Sequence, residues 1–130
     1  MTIWIPGIPK ATQTGSIVRT KDGRCFPKRR GSEWLAYVRL CMMQKKPPAP
    51  MDGPLNVEVT FAMPDLASSK RAYPTKRPDC DNLIKGILDQ GNGILWDDDA
   101  QIVDLDVRKR YARNTDMQAP GVRIVVVEKR

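Results

Sequence analysis

The segment LNVEVTFAM, residues 55–63, sets Leu55, Val57, Val59, Phe61 and Met63 against Asn56, Glu58 and Thr60. A period of two marks a strand with one face to bury. Such a strand is not stable alone in water, so it requires neighbouring strands and a layer to cover its apolar face. Three further segments read as strands: Thr2–Ile5, stopped by Pro6, Gly7 and Pro9; IVDLDVRKRYAR from Ile102; and the β-branched VRIVVVEK from Val122. In the second of these, Val103, Leu105 and Val107 are expected on one face and Asp104, Asp106, Arg108 and Arg110 on the other.

Two segments carry helical spacing. Ser32 can cap a helix with Trp34, Leu35, Val38, Cys41 and Met42 on one stripe, and Pro47, Pro48 and Pro50 end it. A second helix runs from Asp79 or Asp81 to about Gln90. It places Leu83, Ile84, Ile87 and Leu88 on one side, with Asp81, Asn82, Lys85 and Asp89 on the other, and Gly-Asn-Gly ends it. Residues 11–30, with Gly15, Gly23 and Pro27, read as a long loop or loose hairpin, and residues 64–78 as a polar, Pro-punctuated loop. The expected architecture is a small α+β domain over residues 1–130, a mixed sheet of about four strands packed with two or three helices.

Charge narrows the chemistry. The chain has 22 Lys and Arg against 15 Asp and Glu, a net +7 that favours a polyanionic partner. Residues 79–106 nevertheless hold Asp79, Asp81, Asp89, Asp97, Asp98, Asp99, Asp104 and Asp106 with Lys85 as the sole base, a net −7 that leaves +14 elsewhere. Lys70, Arg71, Lys76 and Arg77 precede this island, Arg108, Lys109, Arg110 and Arg113 follow it, and a further basic run holds Arg19, Lys21, Arg24, Lys28, Arg29 and Arg30. Carboxylates facing phosphate repel it unless cations intervene, and bound divalent ions reverse the local sign. The chain has no histidine, which excludes Ser-His-Asp and Cys-His triads and His-ligated zinc. Three cysteines without CxxC spacing fit neither a disulfide framework nor a zinc site. The N-terminus lacks a signal pattern and no apolar run is long enough to span a bilayer, so a cytoplasmic, soluble protein is expected.

Each acidic residue also has an ordinary explanation. Asp79 or Asp81 can cap the helix start, Lys85 can pair with Asp81 at i+4, and the Asp97–Asp99 triplet can be a solvated turn. Against these stands convergence on a hard cation, with Lys85 as a fixed ammonium beside it and one of the triplet as a further ligand. Asp104 and Asp106 are expected to pair with nearby Arg and Lys on a strand face or to support the site from outside.

Taken together, RPDCDNLIKGILDQGNGILWDDDAQIVDLDVRK (residues 77–109) resembles the RusA family of Holliday junction resolvases. The shared pattern is Asp-x-Asp-Asn after one or two basic residues, Lys four after the second Asp, a later helical Asp, a Gly-containing turn and Asp-Asp-x-Gln. This chain departs from it in DQGNG, where Gly91 is inserted as a helix weakener. The resemblance implies a Mg²⁺-dependent endonuclease, with Mn²⁺ as a substitute. It would act as a homodimer that nicks branched DNA at paired, symmetric positions in recombination and repair, leaving 5′-phosphate and 3′-hydroxyl ends. By motif, Asp79, Asp81 and Asp99 are the metal-binding carboxylates, with Asp98 as the alternative to Asp99, and Lys85 is the catalytic lysine. Arg24, Lys28, Arg29, Arg30, Lys70, Arg71, Lys76 and Arg77 would hold the DNA arms through phosphates. The rivals are a related nuclease acting on forks or flaps, and a branched-DNA-binding module without catalysis.

Overall fold

The computed structural model describes the chain except for residues 12, 20, 22, 24, 31 and 130; for residues 13–19, 25–30 and 32 it describes the backbone alone. Four strands form a mixed sheet in the order β1 (Thr2–Pro6), β6 (Gly121–Glu128), β4 (Leu55–Met63), β5 (Ile102–Tyr111). β6 runs antiparallel to both β1 and β4, whereas β4 and β5 are parallel. A parallel pair needs a crossover between its strands, and α2 (Cys80–Gly91) is that crossover. The acidic segment is therefore built into the connection from β4 to β5. Residues 11–30 resolve into a separate antiparallel hairpin, β2 (Gln13–Arg19) with β3 (Cys25–Arg30).

The alternation of β4 is reproduced in its burial: Leu55, Val57, Val59 and Phe61 are closed to solvent. They meet Ile3 and Ile5 of β1, Val122, Ile124 and Val126 of β6, and one layer of helix. α1 (Ser32–Lys45) contributes Trp34, Val38 and Met42, and α2 contributes Leu83 and Ile87, so each helix docks by its expected stripe. Among the described residues no helix is long and apolar enough to cross a membrane.

One strand departs from its sequence reading. Val107 packs against the core, but Val103 and Leu105 are 57% and 44% exposed. β5 is the sheet edge, and its register against β4 shifts between Leu55 and Asn56, so the helix layer does not cover its first half. The polar alternates behave as expected: Asp106 accepts from Arg108 at 2.9 Å, and Asp104 pairs with Lys129.

Candidate active site

α2 begins immediately after Asp79, whose backbone is extended (φ −78°, ψ 154°) and whose carbonyl accepts the first helical bond from Leu83 at 3.0 Å. The Asp79 side chain makes no capping hydrogen bond, although capping is the ordinary reason for Asp at this position. Its carboxylate is exposed, as is that of Asp81 in the first turn. Lys85 lies one turn beyond Asp81, exposed, and forms no ion pair with Asp81 or Asp89. Both routine explanations for this end of the helix, a cap and an i+4 salt bridge, are thus absent from the geometry.

The segment entering the helix is held from below. Lys109 on β5 donates from Nζ to the carbonyls of Lys76 and Pro78, each at 2.9 Å. An ammonium that the sequence counts among the basic flank is in fact engaged in fixing the backbone on either side of Arg77.

The far end of α2 is built around Trp96, which is fully buried and donates from Nε1 to Asn92 Oδ1 at 2.8 Å. Gly91 makes this possible. A Cβ on Gly91 would stand 2.4 Å from Cζ2 of the indole, so the residue that reads as a helix weakener is the contact surface for the ring. Gly91→Ala is expected to destabilise the fold by about 1–3 kcal/mol, since a rigid buried indole cannot yield cheaply. Thermal denaturation of the purified variant checks this, and an unchanged Tm would show that the turn repacks freely.

Trp96 delivers the aspartate triplet to the C-terminal end of α2. Asp98 caps a short 3₁₀ turn, Asp99–Gln101, its Oδ1 accepting from the Ala100 amide at 3.0 Å. Gln101 completes the box: its Oε1 accepts from the amides of Asp97 and Asp98, both at 2.9 Å. Its Nε2 donates to the carbonyls of Met51 (2.9 Å) and Gly53 (3.0 Å). The spacing of Asp98 and Gln101 is therefore architectural, with Gln101 stapling the turn to the segment just before β4. Asp99 takes no part in the box and is half-buried beside Asn92. The Ala100 amide, followed by a hydrogen bond with Asp99, holds the Asp98 carboxyl below the usual range. Partial burial, then the hydrogen bond and charge of Asp98, then the charge of Asp89, push the Asp99 carboxyl up; Asn92 opposes this by hydrogen bonding.

The chain matches the family described as Endodeoxyribonuclease RusA over residues 6–126. It belongs to the RusA endodeoxyribonuclease family. It is also 32% identical, over 71% of its own length and 70% of the relative's, to the uncharacterized protein YqaN of Bacillus subtilis (strain 168). RusA nucleases depend on divalent metal ions in general and act on branched DNA junctions.

Against that requirement, the acidic residues of this RusA chain form two groups. Asp79 and Asp81 stand at the start of α2, while Asp99 faces Asp89 and Asn92 at its end. Asp89 lies eight positions after Asp81 in the helix, roughly 12 Å along the axis. Among the described residues no three Asp, Glu or Cys side chains gather as one group able to hold a metal ion. Each group nonetheless suits a hard cation chemically. One offers two exposed carboxylates without a capping bond, and the other a carboxyl pair whose mutual repulsion a cation would relieve. Mg²⁺ commonly takes only one or two protein carboxylates, with water and phosphate oxygens completing its shell.

Of the proposed DNA contacts, Lys70, Arg71, Lys76 and Arg77 are exposed on the loop leading into α2. Arg24 lies outside the described residues, and the side chains of Lys28, Arg29 and Arg30 on β3 do as well. Asp89 was not among the predicted site residues. The i, i+4 ladder Asp81–Lys85–Asp89 is the sequence signal that could have found it.

Proposed function

We propose that this RusA protein is a Mg²⁺-dependent endonuclease that resolves four-way DNA junctions by paired, symmetric nicks, leaving 5′-phosphate and 3′-hydroxyl ends. The observation that carries the reading is the helix start. Asp79 occupies an N-cap position without capping, and Asp81 and Lys85 follow it without pairing to each other. Asp79 and Asp81 would hold one ion beside the scissile phosphate. Asp99, with Asp89 beside it, would serve the same cation requirement from the other end of the helix, and Asp98 is the weaker choice because it is engaged as a cap. A bound divalent ion supplies Lewis-acid polarisation of the phosphodiester and makes the attacking water more acidic. Lys85 presents an ammonium, unpaired among the described residues, whose attraction grows with the charge developing on phosphate. Lys70, Arg71, Lys76 and Arg77, with the basic run from Arg24 to Arg30, position the arms by phosphate contacts.

Lys85→Ala is expected to lower single-turnover nicking by about 10²-fold while junction affinity changes little, the pattern of a group that acts mainly in the transition state. Parallel loss of binding and rate would make Lys85 a phosphate anchor instead.

A four-way junction has near two-fold symmetry, and two cuts in one encounter call for two sites related by the same axis. The proposed unit is a homodimer. α1 supports this, because it is apolar on more than its core stripe: Tyr37, Leu40 and Met43 are 40%, 60% and 48% exposed along its outer side. Sedimentation at micromolar concentration should give a dimer, and Leu40→Arg should shift it to monomer. A monomeric wild-type protein that still makes paired cuts would refute the arrangement.

The direct test is nicking of a labelled four-way junction with and without Mg²⁺, beside a fork, a flap and a linear duplex. Metal-dependent nicking of the junction above the others is expected. Equal or better cutting of forks or flaps would move the substrate, and binding without cutting would leave a DNA-binding module.

A further inference from the structure

The loop between β4 and α2 has neither helix nor strand, yet it is fastened at several points. Tyr111 donates its hydroxyl to Ser69 Oγ at 3.0 Å, Arg113 donates to the Arg71 carbonyl at 3.2 Å, and Asn114 donates to the Ala72 carbonyl at 3.0 Å. Lys109 fixes the last part through Lys76 and Pro78. Held in this way, the loop encloses two recesses that share Leu66, Lys76 and Tyr111 as a common wall.

The two recesses differ in chemistry. One is a slot of about 240 Å³ with a mainly apolar lining that includes Ile8, Pro9, Met63 and Pro74, and Lys76 and Arg77 stand among its residues. The other, of about 320 Å³, is lined by Ser68, Ser69, Lys70, Arg71 and Thr75. Hydroxyls and cations grouped around one hollow are phosphate chemistry. An apolar recess beside it offers a surface for a nucleobase without reading its edges. Pro78, the residue before Asp79, lines the apolar slot, so the pair of recesses adjoins the start of α2.

We propose that these recesses together take one unstacked nucleotide of the DNA strand, base in the apolar slot and phosphate on the basic shelf. The inference rests on the nuclease reading and specifies how the strand is presented to Asp79 and Asp81. A base stacked in a duplex cannot enter such a slot. At a junction crossover, where stacking is already interrupted, withdrawing one costs least. The slot thus gives the protein a means to prefer branch points over linear duplex without sequence-specific contacts.

The experiment places 2-aminopurine, dark when stacked and bright when unstacked, at each nucleotide flanking the crossover of a four-way junction. Fluorescence is read with the full-length protein in EDTA, while a dye on a distal arm reports binding by anisotropy. A several-fold rise is expected at one flanking position and none for a label in mid-arm. Leu66→Trp fills the slot from a position that is 42% exposed. It should abolish the rise and slow nicking by about ten-fold or more, the worth of one base stacked on a protein surface. Ile8→Trp, at a position 54% exposed, is an independent second plug with the same expected result. A bound junction without the rise, or a rise that survives both plugs, overturns the proposal. The two readings separate cleanly: nicking in Mg²⁺ without a rise sinks the slot alone, a rise without nicking sinks the nuclease alone, and no junction binding sinks both.

Discussion

Asp79→Asn should lose junction nicking in Mg²⁺ by about 10²–10³-fold, the scale seen when one essential electrostatic group is removed from an active site. Junction binding in EDTA should be unchanged or slightly tighter, because a negative charge facing phosphate has gone. The substitution discriminates sharply because Asn caps a helix as well as Asp does, whereas a neutral amide is a poor ligand for a hard cation. A purely structural Asp79 would therefore tolerate it. The side chain makes no capping bond to lose, so stability should move by less than about 0.5 kcal/mol, the usual range for surface substitutions away from caps and networks. Wild-type nicking by this variant would remove the metal assignment at the helix start.

Asp99→Asn and Asp98→Ala should part company, though the two native residues are adjacent and carry the same charge. Asp99→Asn is expected to reduce nicking by about 10²-fold or more. It should also leave the metal-free protein slightly more stable at neutral pH. The sign follows from the raised carboxyl. A folded-state value above the unfolded one means that the fold binds the proton more tightly, so ionised Asp99 opposes folding at neutral pH. That opposition fades as pH falls through the raised value, and the stability gain of Asp99→Asn should fade with it. Asp98→Ala is expected to behave in the opposite way, lowering Tm through loss of the cap on the Ala100 amide and lowering nicking less. Paired melting curves from pH 4 to 8 and single-turnover rates check both. Equal losses of nicking would mean that the turn acts as a unit and that neither carboxylate has its own role.

The same contrast shows where sequence reading succeeds and where it stops. The alternation in residues 55–63 and the stripes of α1 and α2 were legible because side-chain period and backbone geometry are locked together. The motif in residues 77–109 was legible because several chemically unusual residues recur at fixed spacing. The exposure of Val103 and Leu105 was not, because alternation reports which face a residue is on and not whether the strand lies at the sheet edge. Gly91 read as a weak point for the same reason. Its intrinsic propensity is a local property, whereas its use, a flat contact for Trp96, depends on a residue five positions on that returns only after the turn.

By itself the sequence determined the elements, the family and the presence of an acidic patch in a basic chain, since periodicity, composition and motif spacing are one-dimensional quantities. Tertiary structure alone decided that Asp79 is not a cap, that Asp98 is, that Lys109 holds backbone, and that Asp99 stands with Asp89 at the opposite end of α2 from Asp81. Those are statements about which donors and charges meet across space. The β4–α2–β5 crossover sets them by returning the chain antiparallel to its own helix, so that residues close in the motif are distributed along the full length of α2.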